Sequence, residues 1–108
     1  MMEFLYVEKT ELIYTNLNQP NPPTHNIPYS TISTIFYGVR TKKAFFGLLK
    51  RPEHYLTIKA GGAEYTITEK DVGRELLEQY IERVKGFAHD NRVTMRETTG
   101  DDKEDWRL

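Results

Sequence analysis

The hydrophobic pattern of this chain changes its period once, near Asp71, and that change limits the folds open to it. Before it, apolar and polar residues tend to alternate, which is typical of strands that bury one face. After it, apolar residues recur at three- and four-residue steps, which indicates a helix with one apolar stripe. The 108 residues give room for one domain. The order predicts an α+β fold in which several strands precede one C-terminal helix.

Two β-hairpins are predicted among the strands. The first joins residues 4–7 to residues 12–17 across a polar stretch of turn length. The second joins residues 54–60 to residues 63–68 across Gly61-Gly62, a pair that suits a tight turn with positive φ. Antiparallel pairing is therefore expected to dominate the sheets.

A longer strand is predicted between the two hairpins. Residues 27–39 are rich in β-branched and aromatic side chains and carry no charge. Their apolar residues fall on both faces of an extended chain, which predicts a bulge or bend near Ser33. Residues 18–26 hold three of the five prolines, so we expect a loop there.

The helix is predicted to begin near Asp71 and to stop at Asp90-Asn91. Thr68 and Asp71 have the spacing of a capping box, which satisfies N–H groups of the first turn. The apolar stripe consists of Leu76, Leu77, Tyr80, Ile81, Val84, Phe87 and Ala88. We interpret the stripe as core, with a self-association surface through Tyr80 and Phe87 as the alternative.

The domain boundary is predicted at the end of the helix. Residues 1–91 are expected to form the domain, and residues 92–108 a polar, acidic and flexible C-terminal tail. The N-terminus has no basic leader, and no stretch approaches the ~18 consecutive apolar residues of a spanning helix. We therefore expect a cytoplasmic protein.

The residue types argue against an enzyme. The chain has no cysteine, which excludes disulfides, thiolate zinc sites and cysteine nucleophiles. His25, His54 and His89 lie far apart without metal-ligand spacing and are predicted to face solvent. No nucleophile elbow or phosphate-binding loop occurs. We expect no catalytic residue, no metal and no cofactor.

One segment breaks the even distribution of charge. Residues 40–59 hold six bases and one acid, a local charge of +5 in a chain of net charge −1. Most of these bases flank an apolar block at residues 44–49. The candidate residues for contact with a partner or a lipid are Arg40, Lys42, Lys43, Phe45, Phe46, Lys50 and Arg51.

Four interpretations of this segment stay open. The apolar block can be a buried strand whose basic ends prevent edge aggregation. It can instead contact a protein partner. A third interpretation is insertion into an anionic membrane surface, where each Lys or Arg contributes about 1 kcal/mol. Contact with nucleic acid, with bases meeting phosphates and aromatic rings stacking, is the least favoured.

The chain resembles the bacterial pleckstrin-homology-like (PH-like) domains. The resemblance lies in TELIY at residues 10–14, IPYSTISTI at 27–35, LTIKAGGAEYTI at 56–67 and ELLEQYI at 75–81. It covers roughly residues 4–87 and consists of hydrophobic patterns with one recurring tripeptide, IPY.

The resemblance implies a partly open barrel of two near-orthogonal antiparallel sheets, capped by the C-terminal helix. Lipid-binding relatives place bases in the loop after the first strand, whereas residues 8–11 here hold two acids and one base. Headgroup binding in that loop is therefore not expected. The resemblance suggests a non-enzymatic interaction module that binds protein partners or self-associates into a homo-oligomer. A peripheral membrane adaptor acting through residues 40–51 is the alternative.

Overall fold

The structure, a computed structural model, describes residues 3–44 and 49–98; of residues 41–44 and 49–51 it describes the backbone alone. The strands are β1 (Leu5–Val7), β2 (Glu11–Thr15), β3 (Thr24–Pro28), β4 (Ile32–Ala44), β5 (Leu49–Ala60), β6 (Ala63–Thr68) and β7 (Met95–Thr98), and the helices are α1 (Glu69–Val72) and α2 (Arg74–Asn91). They form a three-stranded sheet in the order β1-β2-β3 and a four-stranded sheet in the order β6-β5-β4-β7. The α+β class with two sheets and a C-terminal helix is confirmed.

The first sheet contains the first predicted hairpin. Strands β1 and β2 pair antiparallel, with Leu5 opposite Tyr14, and β2 pairs antiparallel with β3, with Leu12 opposite Ile27. Strand β3 begins at Thr24, inside the predicted loop. Its position at the sheet edge explains how it tolerates Pro28, since proline donates no hydrogen bond to a ladder.

The predicted strand over residues 27–39 is divided between the two sheets. A 3₁₀ turn at Tyr29–Thr31 follows Pro28, whose φ is −66°. The Thr31 hydroxyl donates a hydrogen bond of 2.8 Å to the Pro28 carbonyl oxygen and closes this turn. The register of β4 on β5 then shifts between Ile32 and Thr34. The irregularity predicted near Ser33 is therefore confirmed, but the chain has already changed sheets before reaching it.

The second predicted hairpin is confirmed. Strands β5 and β6 pair from Tyr55 with Thr68 to Ala60 with Ala63. At the turn, Gly61 and Gly62 have φ angles of 57° and 84°. Residues with a side chain rarely adopt positive φ at two successive positions, which explains the glycine pair.

Strand β7 differs from the predicted organisation. It follows the helix and pairs parallel with β4, from Ile35 with Met95 to Gly38 with Thr98. The folded chain therefore reaches Thr98 instead of ending at residue 91, and not all of the sheet pairs are antiparallel. Gly38 makes this docking possible, because a Cβ there would lie 2.1 Å from the Thr98 carbonyl oxygen. The remainder of the predicted flexible tail, residues 99–108, lies outside the described residues.

The helical region begins and ends as predicted. The Asp71 carboxylate accepts hydrogen bonds from the Thr68 backbone N–H, at 2.9 Å, and from the Thr68 hydroxyl, at 3.2 Å. Gly73 separates α1 from α2, an interruption that the apolar period did not reveal. Helix α2 ends at Asn91, and Arg92 adopts the left-handed conformation that commonly terminates helices.

The core lies between the two sheets and α2. Its buried apolar side chains are Phe4, Leu5, Leu12, Tyr14, Ile27, Ile35, Leu56, Ile58, Ala60, Ile67, Leu77, Tyr80, Ile81, Val84 and Phe87. Of the predicted helical stripe, all but Leu76 are buried, and Leu76 packs partly buried against the core. Tyr80 and Phe87 are 0% and 4% exposed. They are core residues, and the alternative of a self-association surface through them is wrong.

Buried tyrosines make the free energy of unfolding sensitive to alkaline pH. Burial, together with a 3.0 Å hydrogen bond to Glu3 and the charge of that carboxylate, raises the pKa of Tyr80 to about 12. Burial also raises the pKa of Tyr14 and of Tyr55. The unfolded chain ionises its tyrosines near pH ~10, so the folded state retains more protons above that pH.

The free energy of unfolding is therefore expected to fall as the pH rises from about 10 to about 12. Denaturant unfolding measured across this range tests the expectation. Tyr80→Phe removes one of the responsible groups and should make the fall shallower. Tyr29→Phe, at an exposed tyrosine, is the matched control and should leave it as in the wild type. Equal slopes for all three proteins would contradict the role given to Tyr80.

Candidate functional site

Within residues 3–44 and 49–98, the two longest strands, β4 and β5, extend beyond their neighbours. Strand β7 pairs with β4 as far as Gly38, and β6 pairs with β5 from Tyr55 onward. The remainder of the two strands, residues 39–44 and 49–54, forms a two-stranded arm whose strands, within the described residues, pair with each other and with no third strand. At about 3.3 Å per residue, each segment of the arm is roughly 20 Å long. In the described part of the chain, no further strand runs along either outer edge of the arm.

The register of the arm brings bases to opposing positions. Lys42 lies opposite Arg51, and Lys43 lies opposite Lys50. Like charges at directly opposing positions destabilise a strand pair. The arm therefore carries an electrostatic cost that an anionic partner would relieve.

Arg40 has a different role from the other candidate bases. Its Nη2 lies 3.0 Å from Glu53 Oε1, and Glu53 is only 3% exposed. Its guanidinium also lies 5.1 Å from the centroid of the Tyr55 ring. Removing the guanidinium would leave the Glu53 carboxylate buried without this partner, so Arg40 neutralises a buried charge at the base of the arm. We leave it out of the proposed contact set.

A second contact fixes the base of the arm to β7. In the register, Gly38 lies between Tyr55 on one side and Thr98 on the other. Because Gly38 has no side chain, the Tyr55 hydroxyl reaches across it to the Thr98 hydroxyl, 2.5 Å away. Burial of the tyrosine, opposed by this hydrogen bond and by Arg40, raises the pKa of Tyr55 and keeps the hydroxyl protonated. This contact holds the base of the arm in place against β7.

The apolar candidates lie at the end of the arm. Ala44 ends β4, Leu49 begins β5, and these two residues pair. Phe45 and Phe46 belong to the four-residue connection between them and lie outside the described residues. The choice between a buried strand and an exposed loop at residues 44–49 stays open for that connection.

A cleft of about 380 Å³ lies between α2 and the strands beside the base of the arm. Its lining includes the acids Glu78, Glu82 and Glu97, together with Lys85. Lys85 Nζ lies 3.1 Å from Glu82 Oε2 and 5.0 Å from the centroid of the Tyr37 ring. The hydrogen bond to Glu82 raises the pKa of Lys85 and keeps it charged. Opposite charges already meet within this cleft.

The three histidines do not form a site. His54 Nδ1 lies 3.0 Å from Glu69 Oε2, and the His25 ring centroid lies 5.2 Å from that of Tyr65. Both histidines are half-buried, so the prediction that all three face solvent is wrong for these two. His89 is exposed as predicted.

Within residues 3–44 and 49–98, no group of three or more histidine or carboxylate side chains is arranged to hold a metal ion. None of the helices in that part of the chain is long and apolar enough to cross a lipid bilayer.

Comparison with known proteins gives no assignment. No family model, no curated protein and no solved structure matches this chain. The resemblance to PH-like domains therefore stays a prediction based on sequence patterns. The arm is the feature from which a function can be argued.

Proposed function

We propose that this chain is a non-enzymatic, PH-like interaction module that binds a protein partner through the arm. The observation that carries the proposal is the register of β4 and β5. It gathers Lys42, Lys43, Lys50 and Arg51 on two strands that leave the sheet, with like charges at opposing positions. Because successive positions of a strand belong to opposite faces, each face of the arm has one pair of bases, and a partner that supplies acids to a face relieves the repulsion within that pair.

Among the described residues, no further strand pairs with the outer edges of the arm, and this favours a protein as that partner. A strand edge presents N–H and C=O groups that another extended chain can pair with. A membrane offers few such partners, and leaving backbone groups unsatisfied in lipid is costly. We therefore infer that the partner contributes an acidic, extended segment that adds to the arm. A second copy of this chain offers acids as well, since residues 60–91 carry a net charge of −3, but these residues form β6, α1 and α2 and supply no free extended segment.

The PH-like fold is part of the proposal. Support comes from two sheets that enclose one core and from a helix that packs across both. Strand β7 is an addition to the implied pattern, in which the helix is the last element. The arm is formed by the strands before and after the predicted apolar block, so the proposal places recognition outside the loop at residues 8–11.

Reversing the charge of the arm is expected to abolish binding to an acidic peptide. The variant Lys42→Glu/Lys43→Glu/Lys50→Glu/Arg51→Glu should weaken binding of a fluorescent, glutamate-rich peptide by at least about tenfold, measured by anisotropy. Added salt should weaken the wild-type interaction, because exposed charges are screened.

The control changes net charge equally but outside the arm. It replaces four exposed bases by glutamate, and these are Lys9, Lys70, Arg83 and Arg96. Binding by this variant should stay within about threefold of the wild type, since its bases lie on elements outside the arm. Equal losses in the two variants would mean that net charge, and not the arm, attracts the peptide.

An anionic membrane surface is the second candidate, and a specific observation favours it. The connection between the basic strands consists of Phe45, Phe46, Gly47 and Leu48, so an apolar sequence lies between clusters of bases. Sedimentation with vesicles containing phosphatidylserine separates the two proposals. If the wild type sediments and the arm variant does not, while the acidic peptide fails to bind, the membrane is the partner. Salt-sensitive retention by duplex DNA under the same conditions would favour nucleic acid instead.

A further inference from the structure

The backbone polar groups of β4 alternate between the two sides of the strand. The Ile35 N–H donates a hydrogen bond of 2.9 Å to the Thr94 carbonyl oxygen, so the N–H and C=O of Ile35 point away from β5. Successive residues of a strand direct these groups to opposite sides. Arg40 therefore directs its groups toward β5 and exchanges hydrogen bonds with Glu53, its partner in the register. Thr41, the next residue, belongs to a pair without such bonds.

Pro52 lies in the middle of the arm segment of β5, with its nitrogen on the outer side. It is the partner of Thr41, so its missing N–H removes no hydrogen bond from the ladder between β4 and β5. Proline is tolerated within a sheet at such an edge position. The same absence takes the central donor from the outer edge of β5, between Lys50 and His54. The Pro52 side chain is exposed, so it lies uncovered on that edge.

Two contacts on β6 agree with this alternation. The Tyr14 hydroxyl donates a hydrogen bond of 3.2 Å to the Thr66 carbonyl oxygen. The Thr68 N–H donates one of 2.9 Å to the Asp71 carboxylate. Both backbone groups point away from β5, as the register of the two strands requires. Side chains thus already occupy part of the outer edge of β6.

Helix α1 begins beside the base of the arm. Strand β6 pairs with β5 as far as Thr68 with Tyr55, and α1 begins at the next residue, Glu69. Glu69 Oε2 lies 3.0 Å from Nδ1 of His54, which follows this last pair toward the arm. A segment added to β5 would therefore meet α1 at one end and Pro52 two residues further along.

We propose that Pro52 is a specificity-determining residue that closes the outer edge of β5 in the arm to strand addition. An acidic, extended segment then binds the arm without pairing along β5. The closure follows from the register and the contacts of β5, whereas its consequence for the partner rests on the proposed function. Main-chain pairing of an added strand needs regularly spaced donors, and proline removes one of the three on this edge.

Restoring the missing donor tests the proposal. Pro52→Val supplies an N–H at this position and a side chain that favours strands. With the glutamate-rich peptide in fixed excess, amide hydrogen exchange at Lys50 and His54 should slow by at least about tenfold in this variant, because the peptide can pair along β5. The wild type should show no slowing at these two amides. NMR of the full chain follows the exchange.

The matched control is Pro23→Val. Pro23 is exposed like Pro52, but it lies in the loop before β3, so the added N–H is outside the described strands. This variant should leave exchange at Lys50 and His54 as in the wild type. Circular dichroism checks that both variants fold like the wild type.

Two results would overturn the closure. Slowed exchange at Lys50 and His54 in the wild type would show that the edge accepts a strand despite Pro52. Unchanged exchange in Pro52→Val would show that the missing donor is not what closes the edge. If Pro52→Val gains the protection while the wild type binds no peptide by anisotropy, the proposed function fails and the closure stands.

Discussion

Replacing Gly38 by alanine is expected to lower the free energy of unfolding by about 3 kcal/mol, because the new side chain would both clash and strain the backbone. Its Cβ would lie 2.1 Å from the Thr98 carbonyl oxygen, an atom of the β7 backbone that cannot rotate away. Gly38 also has a φ of 132°, which L side chains rarely adopt. The cheapest relief is release of β7, which would also break the hydrogen bond between Tyr55 and Thr98.

Denaturant unfolding measures the energetic effect, and hydrogen exchange at Met95–Thr98 shows whether β7 is released. The matched control is Gly86→Ala. Gly86 is exposed in α2 and has nothing within 4 Å of an added Cβ, so alanine should stabilise the protein by up to about 1 kcal/mol. A Gly38→Ala protein that is as stable as the wild type, with protected β7 amides, would contradict the docking described for this strand.

Truncating Leu77 to alanine is expected to cost about 3 kcal/mol. Leu77 is 0% exposed and belongs to the cluster in which α2 meets both sheets. The cost combines the lost burial of the side chain with the cavity left where the surrounding elements cannot collapse. A loss of this size removes a large share of the roughly 5–15 kcal/mol by which a domain is stable.

Leu76→Ala is the control, because it makes the same chemical change one residue away on the same helix. Leu76 is only partly buried, so its truncation should cost about 1 kcal/mol or less. Thermal and denaturant unfolding of the two variants measure the contrast. Equal losses of stability in the two variants would mean that α2 does not pack against the core through the face that contains Leu77.

Much of the fold follows from local sequence patterns. The turn at Gly61-Gly62 and the capping contact between Thr68 and Asp71 are decided by a few adjacent residues, and both were predictable. The apolar stripe of α2 was also predictable, because burial of one helix face leaves a period in the sequence. The bulge near Ser33 was visible because it changes which side chains share a face.

Strand β7 and the division of residues 27–39 were not predictable by the same means. Strand β7 is four residues long and pairs with a strand about 60 positions away, so no local period identifies it. Its one sequence signal is Gly38, a glycine within a strand pattern, which often marks the close approach of another backbone. At Pro28, the strand-like composition on both sides concealed the change of sheet.

The candidate site was only partly visible in the sequence. Composition identified the basic segment, but the arm depends on where β6 begins to pair along β5, and that register is a property of the whole sheet. The register then separates Arg40, which pairs with Glu53, from the four bases at opposing strand positions. The sequence did contain a signal for the Arg40–Glu53 pair. The two residues lie at equal distances along the chain from the connection at residues 45–48, as partners in a hairpin do.

The most direct test of the central claim is to map where an acidic peptide binds. Uniformly ¹⁵N-labelled full-length chain is titrated with the glutamate-rich peptide, and the amide chemical shifts are followed by NMR. The account predicts that the largest shifts occur at residues 39–44 and 49–54 and disappear in the arm charge-reversal variant. Shifts concentrated on α2 or on the β1-β2-β3 sheet, or none at peptide concentrations that saturate the anisotropy signal, would contradict it.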